Sequence, residues 1–269
     1  MRLLQANPEG SFSMTTFLPS KIPSRYAILS HTWELDDQEV TFKDLMNGEG
    51  NSKIGYRKIK FCAEQAARDG IQYLWVDSCC IDKSSSSELG EAINSMFSWY
   101  RNASKCYVYL SDVSTSKRSR SSESPWLSAF RTSRWFTRGW TLQELLAPDS
   151  ESLQFYSREG KYLGNKQSLG SLVSGITGIP ASALRGGFEA IEQYKVDERM
   201  SWAAKRVTTI QEDQAYCLLG LFNVHIPLIY GEGRDNAFRR LREEIYKLSS
   251  RDEKPKGVLL YSGIQKKND

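Results

Sequence analysis

The residues best suited to chemistry follow short apolar runs in the first half of the chain. Ser30 and His31 follow one run, Asp77 follows a second, and Ser111 follows a third. Apolar runs of this length are typical of buried strands. In open parallel sheets, ligands bind outside the carboxyl ends of the strands. We therefore expect these four polar side chains to meet at one edge of a sheet, although they do not identify a ligand.

A carboxylate further along the chain could serve the same edge. Glu144 lies in the segment Trp140-Thr-Leu-Gln-Glu144, where one helical turn would place both named residues on one face. A carboxylate pointing into a cleft can hold ribose hydroxyls and stabilise positive charge in a transition state. The alternative is an ordinary surface carboxylate near a helix start, favoured by the helix dipole. Arg138 could bind a phosphate or brace the backbone.

Strands and helices must position these residues, and their order predicts an α/β fold. Residues 26–30, 71–76 and 105–110 are apolar runs that predict three buried strands. Between them, residues 56–69 and 89–100 carry apolar side chains at helical spacing. Alternation of strands and helices is typical of parallel βαβ units. We therefore predict a parallel sheet flanked by helices.

Four segments, read in order, resemble the blocks that define the heterokaryon incompatibility (HET) domain of filamentous fungi. They are 26–33 (YAILSHTW), 75–83 (WVDSCCIDK), 138–146 (RGWTLQELL), and 212–222 with 226–233 (EDQAYCLLGLF and IPLIYGEG). Glu34 departs from the pattern, because the family usually has Gly after the tryptophan. The resemblance implies a cell-death module at the N-terminus of a larger receptor. That receptor would carry a nucleotide-binding oligomerisation module and activate the domain by induced proximity and self-association.

Residues 24–146 also resemble, more distantly, a TIR domain, which has a flavodoxin-like parallel sheet. The segment from Trp140 to Leu145 is similar to the Trp-Cys-Leu-x-Glu-Leu helix start of plant TIR domains, whose Glu splits NAD. This resemblance implies that Glu144 is catalytic and that NAD or a related nucleotide is the substrate. Together with the strand ends, it gives these candidate substrate-binding residues: Ser30, His31, Trp33, Asp77, Ser111, Arg138 and Trp140.

Several of these candidates also have a structural interpretation. His31 could hydrogen-bond a neighbouring loop, and Asp77 could cap the segment that follows it. Tryptophans such as Trp33 and Trp140 are more often core residues than ligand platforms. The pair Cys79-Cys80 beside His31 could form a thiol nucleophile, but a cysteine pair in an apolar context is usually structural.

Composition argues against several other classes of protein. The 36 basic and 32 acidic residues leave a net charge of +4, a small excess for a nucleic-acid-binding chain. Two histidines and no Cys-x-x-Cys pair argue against zinc, and no P-loop motif occurs. No signal peptide or membrane span is visible, and the odd number of cysteines indicates a reduced compartment. We expect a cytoplasmic chain without metal, cofactor, membrane or nucleic-acid partner.

The pattern along the chain predicts three regions. They are a TIR-like α/β core over 1–150, a mainly helical HET-specific extension over 151–250, and a tail or linker over 251–269; one integrated domain is the alternative. Within the extension, residues 201–222 are predicted to be helical, and residues 235–248 to form an amphipathic helix. Two functions are compatible with this organisation. One is an effector of fungal incompatibility and innate immunity that cleaves NAD at the nicotinamide–ribose bond through Glu144. The other is a non-catalytic signalling module that triggers death by self-association and partner recruitment.

Overall fold

A seven-stranded sheet forms the centre of the protein. The computed structural model describes residues 1–7, 9–116, 124 and 126–252, so the predicted tail lies almost wholly outside the described residues. The strands are β1 (Arg2–Ala6), β2 (Phe12–Thr16), β3 (Tyr26–His31), β4 (Tyr73–Trp75), β5 (Lys105–Leu110), β6 (Leu153–Ser157) and β7 (Tyr162–Asn165). Their order across the sheet is β2-β1-β4-β3-β5-β6-β7. The predicted strands at 26–30, 71–76 and 105–110 are confirmed as β3, β4 and β5.

The four inner strands are parallel, as predicted, and the outer strands are antiparallel. β3 pairs in parallel with β4 and β5, and β5 pairs in parallel with β6. The outer strands β1, β2 and β7 join as antiparallel neighbours. The sheet is therefore mixed rather than wholly parallel. Counted along the chain, its parallel strands follow the order 2-1-3-4, as in flavodoxin-like sheets.

Short connections explain the antiparallel edges. Antiparallel strands can be joined by tight turns, whereas parallel strands need a long crossover. β1 and β2 are separated by five residues that include Gly10 at φ +82°, and β6 and β7 by four that include Gly160 at φ +71°. Glycine adopts this left-handed conformation without steric cost. Alternation of strands and helices predicts parallel strand pairs, so it does not predict these two antiparallel hairpins.

The central strand β3 carries the first predicted site residues. All six of its residues are buried, including Ser30 and His31 at its carboxyl end. A parallel strand covered by helices on both faces is typically a continuous apolar run, as this one is up to Leu29. The strand order reverses between β3 and β5, and such a switch point opens a crevice at the carboxyl edge.

Helices flank the sheet. They are α1 (Phe42–Met46), α2 (Tyr56–Arg68), α3 (Ser86–Asn102), α4 (Leu127–Arg131), α5 (Thr141–Leu146), α6 (Gly170–Thr177), α7 (Ala181–Arg185), α8 (Gly187–Glu192), α9 (Val196–Ser201), α10 (Asp213–Tyr216) and α11 (Arg234–Asp252). The predicted helix at 56–69 is confirmed as α2, which buries Ile59 and Ala66 and ends before Gly70 at φ +65°. Within the described ranges, no helix has the length and apolar character needed to cross a membrane.

The region beyond residue 150 is mainly helical but also completes the sheet. β6 pairs with β5 over five positions, from Cys106 opposite Leu153 onward. Residues 201–222 were expected to be helical, yet they form only α10 and a short 3-10 turn, Gly220–Phe222. That expectation was wrong: around residue 207 the backbone bonds instead with the segment before α5, where Val207 pairs with Arg138 in an isolated parallel bridge. The helix predicted at 235–248 is confirmed as α11, and the division at residue 150 stays a prediction.

Candidate functional site

Glu144 lies inside the protein, next to the carboxyl end of β3. All six residues of α5 are buried, and Glu144 is only 3% exposed. Ser30 donates a hydrogen bond from its Oγ to Glu144 Oε2. The indole Nε1 of Trp135 donates to the same Ser30 Oγ over 2.8 Å. These three residues, here called the Glu144 group, bring the predicted catalytic carboxyl and one predicted substrate-binding residue into contact beneath the surface.

The environment of this carboxyl changes its protonation state. Burial raises the pKa of Glu144 to about 8, and the negative charge of Asp77 acts in the same direction. The hydrogen bond from Ser30 and the charge of Arg206 oppose the rise only in part. Glu144 is accordingly mostly protonated at neutral pH, and a cation placed beside it would favour the ionised form. Shifted pKa values of this kind cluster at functional sites, but buried structural networks show them too.

Residues 206–208 hold the start of α5 in place. A Cβ at Gly139 would collide with the side chain of Thr208, so any other residue there would force Thr208 to move. Buried Arg206 donates from Nη1 to the Arg138 carbonyl and to Thr141 Oγ, each over 2.8 Å. The Arg-Gly-Trp sequence before the helix is therefore explained by close packing against the C-terminal region.

Two predicted substrate-binding residues form their side-chain hydrogen bonds with the C-terminal region. Arg138 Nη1 donates to Thr209 Oγ over 3.3 Å. Trp140 Nε1 donates to Asp213 Oδ2 over 3.0 Å. Both side chains are thus engaged with other residues of the protein. They join α5 to the segment that contains α10.

A charged cluster formed by three other predicted residues lies close to Glu144. His31 Nε2 lies 2.8 Å from Asp77 Oδ1, and Trp33 Nε1 donates to Asp77 Oδ2 over 2.8 Å. Burial alone would raise the pKa of Asp77, but His31, Lys83 and the indole hydrogen bond hold it well below its usual range. Lys83 Nζ also lies 3.5 Å from the centre of the Trp33 ring, a cation–π contact. Asp77 therefore stays ionised, and its negative charge lies close enough to raise the pKa of Glu144.

Ser111, the remaining predicted contact, lines an open cavity outside the carboxyl ends of β3 and β5. This cavity has a volume of about 540 Å³. Its polar lining, which defines the basic cavity, consists of Glu34, Arg57, Lys58, Ser111, Asp112, Arg134 and Arg158. A second cavity of about 440 Å³ lies beside Trp33 and is mostly apolar. Glu144 lines neither cavity.

Several residues of this edge were not found from the sequence. Trp135 and Arg134 sit in an aromatic-rich stretch whose pattern does not show what either side chain contacts. Arg206 lies in a loop, and Arg57 lies on the exposed face of a helix. Each becomes significant only through a partner or cavity formed by a distant part of the chain.

Thiol and metal chemistry find little support at this edge. All five cysteines are buried and free, as the apolar context of most of them indicates. Burial raises the pKa of Cys79 well above its usual range, which disfavours the reactive thiolate. In the part of the chain that the structure describes, no group of three or more His, Cys, Asp or Glu residues is arranged to hold a metal ion.

The chain is similar to a known protein family and to a named relative. Residues 26–125 match the family model described as heterokaryon incompatibility protein (HET). The chain is 56% identical over 248 residues to the vegetative incompatibility protein HET-E-1 of Podospora anserina. That match covers 92% of this chain but only 18% of the relative, so the chain spans less than a fifth of the relative's length. No solved structure matches the chain. The chain belongs to the heterokaryon incompatibility (HET) family.

Proposed function

We propose that this chain is the cell-death effector domain of a fungal incompatibility protein. Its family and its 56% identity to a protein named for vegetative incompatibility support this role. Because the match covers 18% of that relative, most of the relative lies outside the shared part. We propose that the corresponding part of the full-length protein includes a nucleotide-binding oligomerisation module. It would act in the cytoplasm by bringing copies of the domain together.

We propose further that the domain cleaves NAD at the nicotinamide–ribose bond, with Glu144 as the catalytic carboxyl. The observation that carries this proposal is a buried carboxyl of raised pKa beside Ser30, at the carboxyl end of a parallel strand. When the bond breaks, nicotinamide keeps the electron pair and leaves neutral, and a ribosyl cation remains. Water then adds to the ribosyl carbon and loses a proton. A carboxylate beside the ribose stabilises the positive charge in between.

The protonation state of Glu144 fits this sequence of events. Without substrate, the charge of Arg206 offsets the effect of burial only in part, and the carboxyl stays mostly neutral. The pyridinium ring of NAD carries a positive charge, and the ribosyl cation replaces it as the bond breaks. Positive charge beside Glu144 lowers the pKa of Glu144, so the stabilising carboxylate forms where it is needed. Because Glu144 is buried and lines neither cavity, admission of the ribose requires neighbouring side chains to move.

Nicotinamide release from NAD tests the proposal directly. We would measure it chromatographically with the 269-residue chain, both dilute and clustered through a surface-bound tag. We expect turnover by the clustered wild type and none by Glu144→Gln. Persistent absence of turnover in the clustered wild type, or turnover by Glu144→Gln, would overturn the proposal.

Glu212→Gln is the matched control for this assay. Glu212 is as buried as Glu144, and its Oε1 accepts hydrogen bonds from the backbone N–H groups of Gly231 and Gly233. A glutamine oxygen can accept the same bonds, so this variant should fold and keep its turnover. Loss of turnover in both variants would attribute the effect to the general loss of a buried carboxylate.

A second function is favoured by the burial of Glu144 and by apolar side chains exposed in the C-terminal region. Four of these side chains are between 40% and 58% exposed: Val207, Ile210, Ile229 and Tyr230. A non-catalytic module that triggers death by self-association would use such a surface. Expression of Glu144→Gln in fungal cells separates the two functions. Toxicity retained by the folded variant supports recruitment, and loss of toxicity supports catalysis.

A further inference from the structure

We propose that the basic cavity binds the diphosphate group of a small phosphorylated ligand through Arg57, Arg134 and Arg158. The cavity lies outside the carboxyl ends of β3 and β5, where the strand order reverses. Open α/β sheets bind their ligands at this switch point. The proposal concerns binding alone and goes beyond the proposed cleavage, because Glu144 does not line the cavity.

The three arginines come from three separate parts of the fold. Arg57 lies in the first turn of α2, Arg134 begins the 3-10 helix Arg134–Thr137, and Arg158 follows β6. A guanidinium group is permanently charged, and its planar fork matches the oxygen atoms of a phosphate. Guanidinium groups that converge from several directions suit oxygen atoms spread over two adjacent phosphates better than a single small anion.

The acidic residues that line the cavity are already engaged. Asp112 accepts hydrogen bonds from Ser133 Oγ and from the backbone N–H of Arg134, each over 2.8 Å. Glu34 lies 3.7 Å from Arg134 Nη2 and 3.9 Å from Lys58 Nζ. These carboxylates anchor the wall of the cavity. They leave most of the arginine N–H groups available for a ligand.

Arg57 and Arg158 contribute most of these available donors. Within the described ranges, the guanidinium group of Arg57 forms neither a salt bridge nor a hydrogen bond, and the residue is exposed. Arg158 has one pairing, from Nε to Glu159 Oε1 over 3.1 Å. That pair is solvent-exposed and therefore weak. The carboxylate of Glu159 is also shared with other donors, among them Ser114 and Ser157.

The size and charge of the cavity fit a diphosphate. Buried Lys58 is paired with Glu39 over 2.7 Å, so the charge of the lining comes from three arginines and two carboxylates and amounts to +1. Its volume of about 540 Å³ lies within the usual range of small-ligand sites. Ser111 accepts a hydrogen bond from Arg134 Nη2 over 3.2 Å, and its hydroxyl hydrogen remains free to donate to a phosphate oxygen. The site thus offers both charge and directional hydrogen bonds.

Calorimetric titration of the 269-residue chain at low ionic strength tests this proposal. The probes are inorganic pyrophosphate, ADP, adenosine and sulfate. We expect pyrophosphate and ADP to bind, sulfate to bind much more weakly, and adenosine to give no signal. Tighter binding of ADP would identify a nucleotide as the ligand, and tighter binding of pyrophosphate would identify the free diphosphate. Equal affinity for sulfate and pyrophosphate would overturn the proposal.

Arginine variants locate the binding. We expect Arg57→Gln and Arg158→Gln each to weaken pyrophosphate binding about tenfold, because each removes charge-assisted hydrogen bonds. Arg68→Gln is the matched control, since Arg68 is an exposed arginine on the same helix that does not line the cavity. Circular dichroism would check that all variants fold. Equal effects of Arg57→Gln and Arg68→Gln would contradict a defined site. Neither pyrophosphate nor ADP contains a nicotinamide–ribose bond, so failure of the cleavage assay leaves this test unaffected.

Discussion

The Glu144 group and the basic cavity lie at the same edge of the sheet but differ in their relation to water. Glu144 is 3% exposed, and burial keeps it mostly protonated at neutral pH. The arginines of the cavity are exposed and permanently charged. Below the surface, exclusion of water decides whether a group carries charge at all. The arginines of the cavity are always charged, and solvent and salt determine the strength of their electrostatic interactions.

Replacement of Trp135, the aromatic member of the Glu144 group, should have the largest effect. Trp135 is 1% exposed, so Trp135→Ala should lower the free energy of unfolding by ~3–5 kcal/mol. Urea unfolding followed by circular dichroism measures this loss. Tyr246→Ala is the control because Tyr246 is 74% exposed, and it should change stability by less than about 0.5 kcal/mol. A similar loss in both variants would contradict a special role for buried Trp135.

Glu144→Gln should stabilise the protein at neutral to alkaline pH. The ordinary pKa of this carboxyl is 4.5 and the folded value is about 8. Between these values the unfolded chain releases the proton and the folded chain keeps it, so stability falls as pH rises across this window. We expect the variant to be more stable by ~1–3 kcal/mol at pH 8 and nearly unchanged at pH 4. Identical differences at both pH values in urea unfolding would show that the carboxyl is not held neutral.

Asp77→Asn should have a smaller effect of opposite pH dependence. The pKa of Asp77 lies well below its usual range, so its contribution to stability is present at neutral pH and is lost as pH falls below 3.8. We expect a loss of about 1–2 kcal/mol at pH 7 that shrinks in acid. Removing this charge should also lower the pKa of Glu144, which carbon NMR of the labelled carboxyl would report. An unchanged Glu144 titration would mean that the two groups are not coupled.

Arg57→Gln should have the smallest effect on stability. Its exposed guanidinium group has no partner in the described part of the chain, so the change in unfolding free energy should stay within about 0.5 kcal/mol. The variant should nevertheless weaken the binding of pyrophosphate. This result would sharpen the contrast between the two regions, because Trp135 of the Glu144 group supports the fold and Arg57 does not. A large loss of stability would place Arg57 in the structural framework instead.

Elements with a strong local pattern were predicted well, and those without one were not. β3, α2 and α11 each have a periodic apolar pattern or a continuous apolar run, which depends only on neighbours in the chain. The hairpins at both sheet edges were missed because short, partly polar strands are defined mainly by what they pair with. The stretch 201–222 was predicted to be helical, but around Val207 its pairing with Arg138 overrides that local preference.

The sequence by itself determined the family, the alternation of strands and helices, and the placing of Ser30, Asp77 and Ser111 at strand ends. Only the tertiary structure decided that Glu144 is buried against Ser30, 114 residues away, and that three arginines from separate elements surround one cavity. The physical reason is that local pattern sets the conformation of a segment. Exclusion of water, and the electric field that a carboxyl experiences, arise from contacts between segments that are distant in the chain.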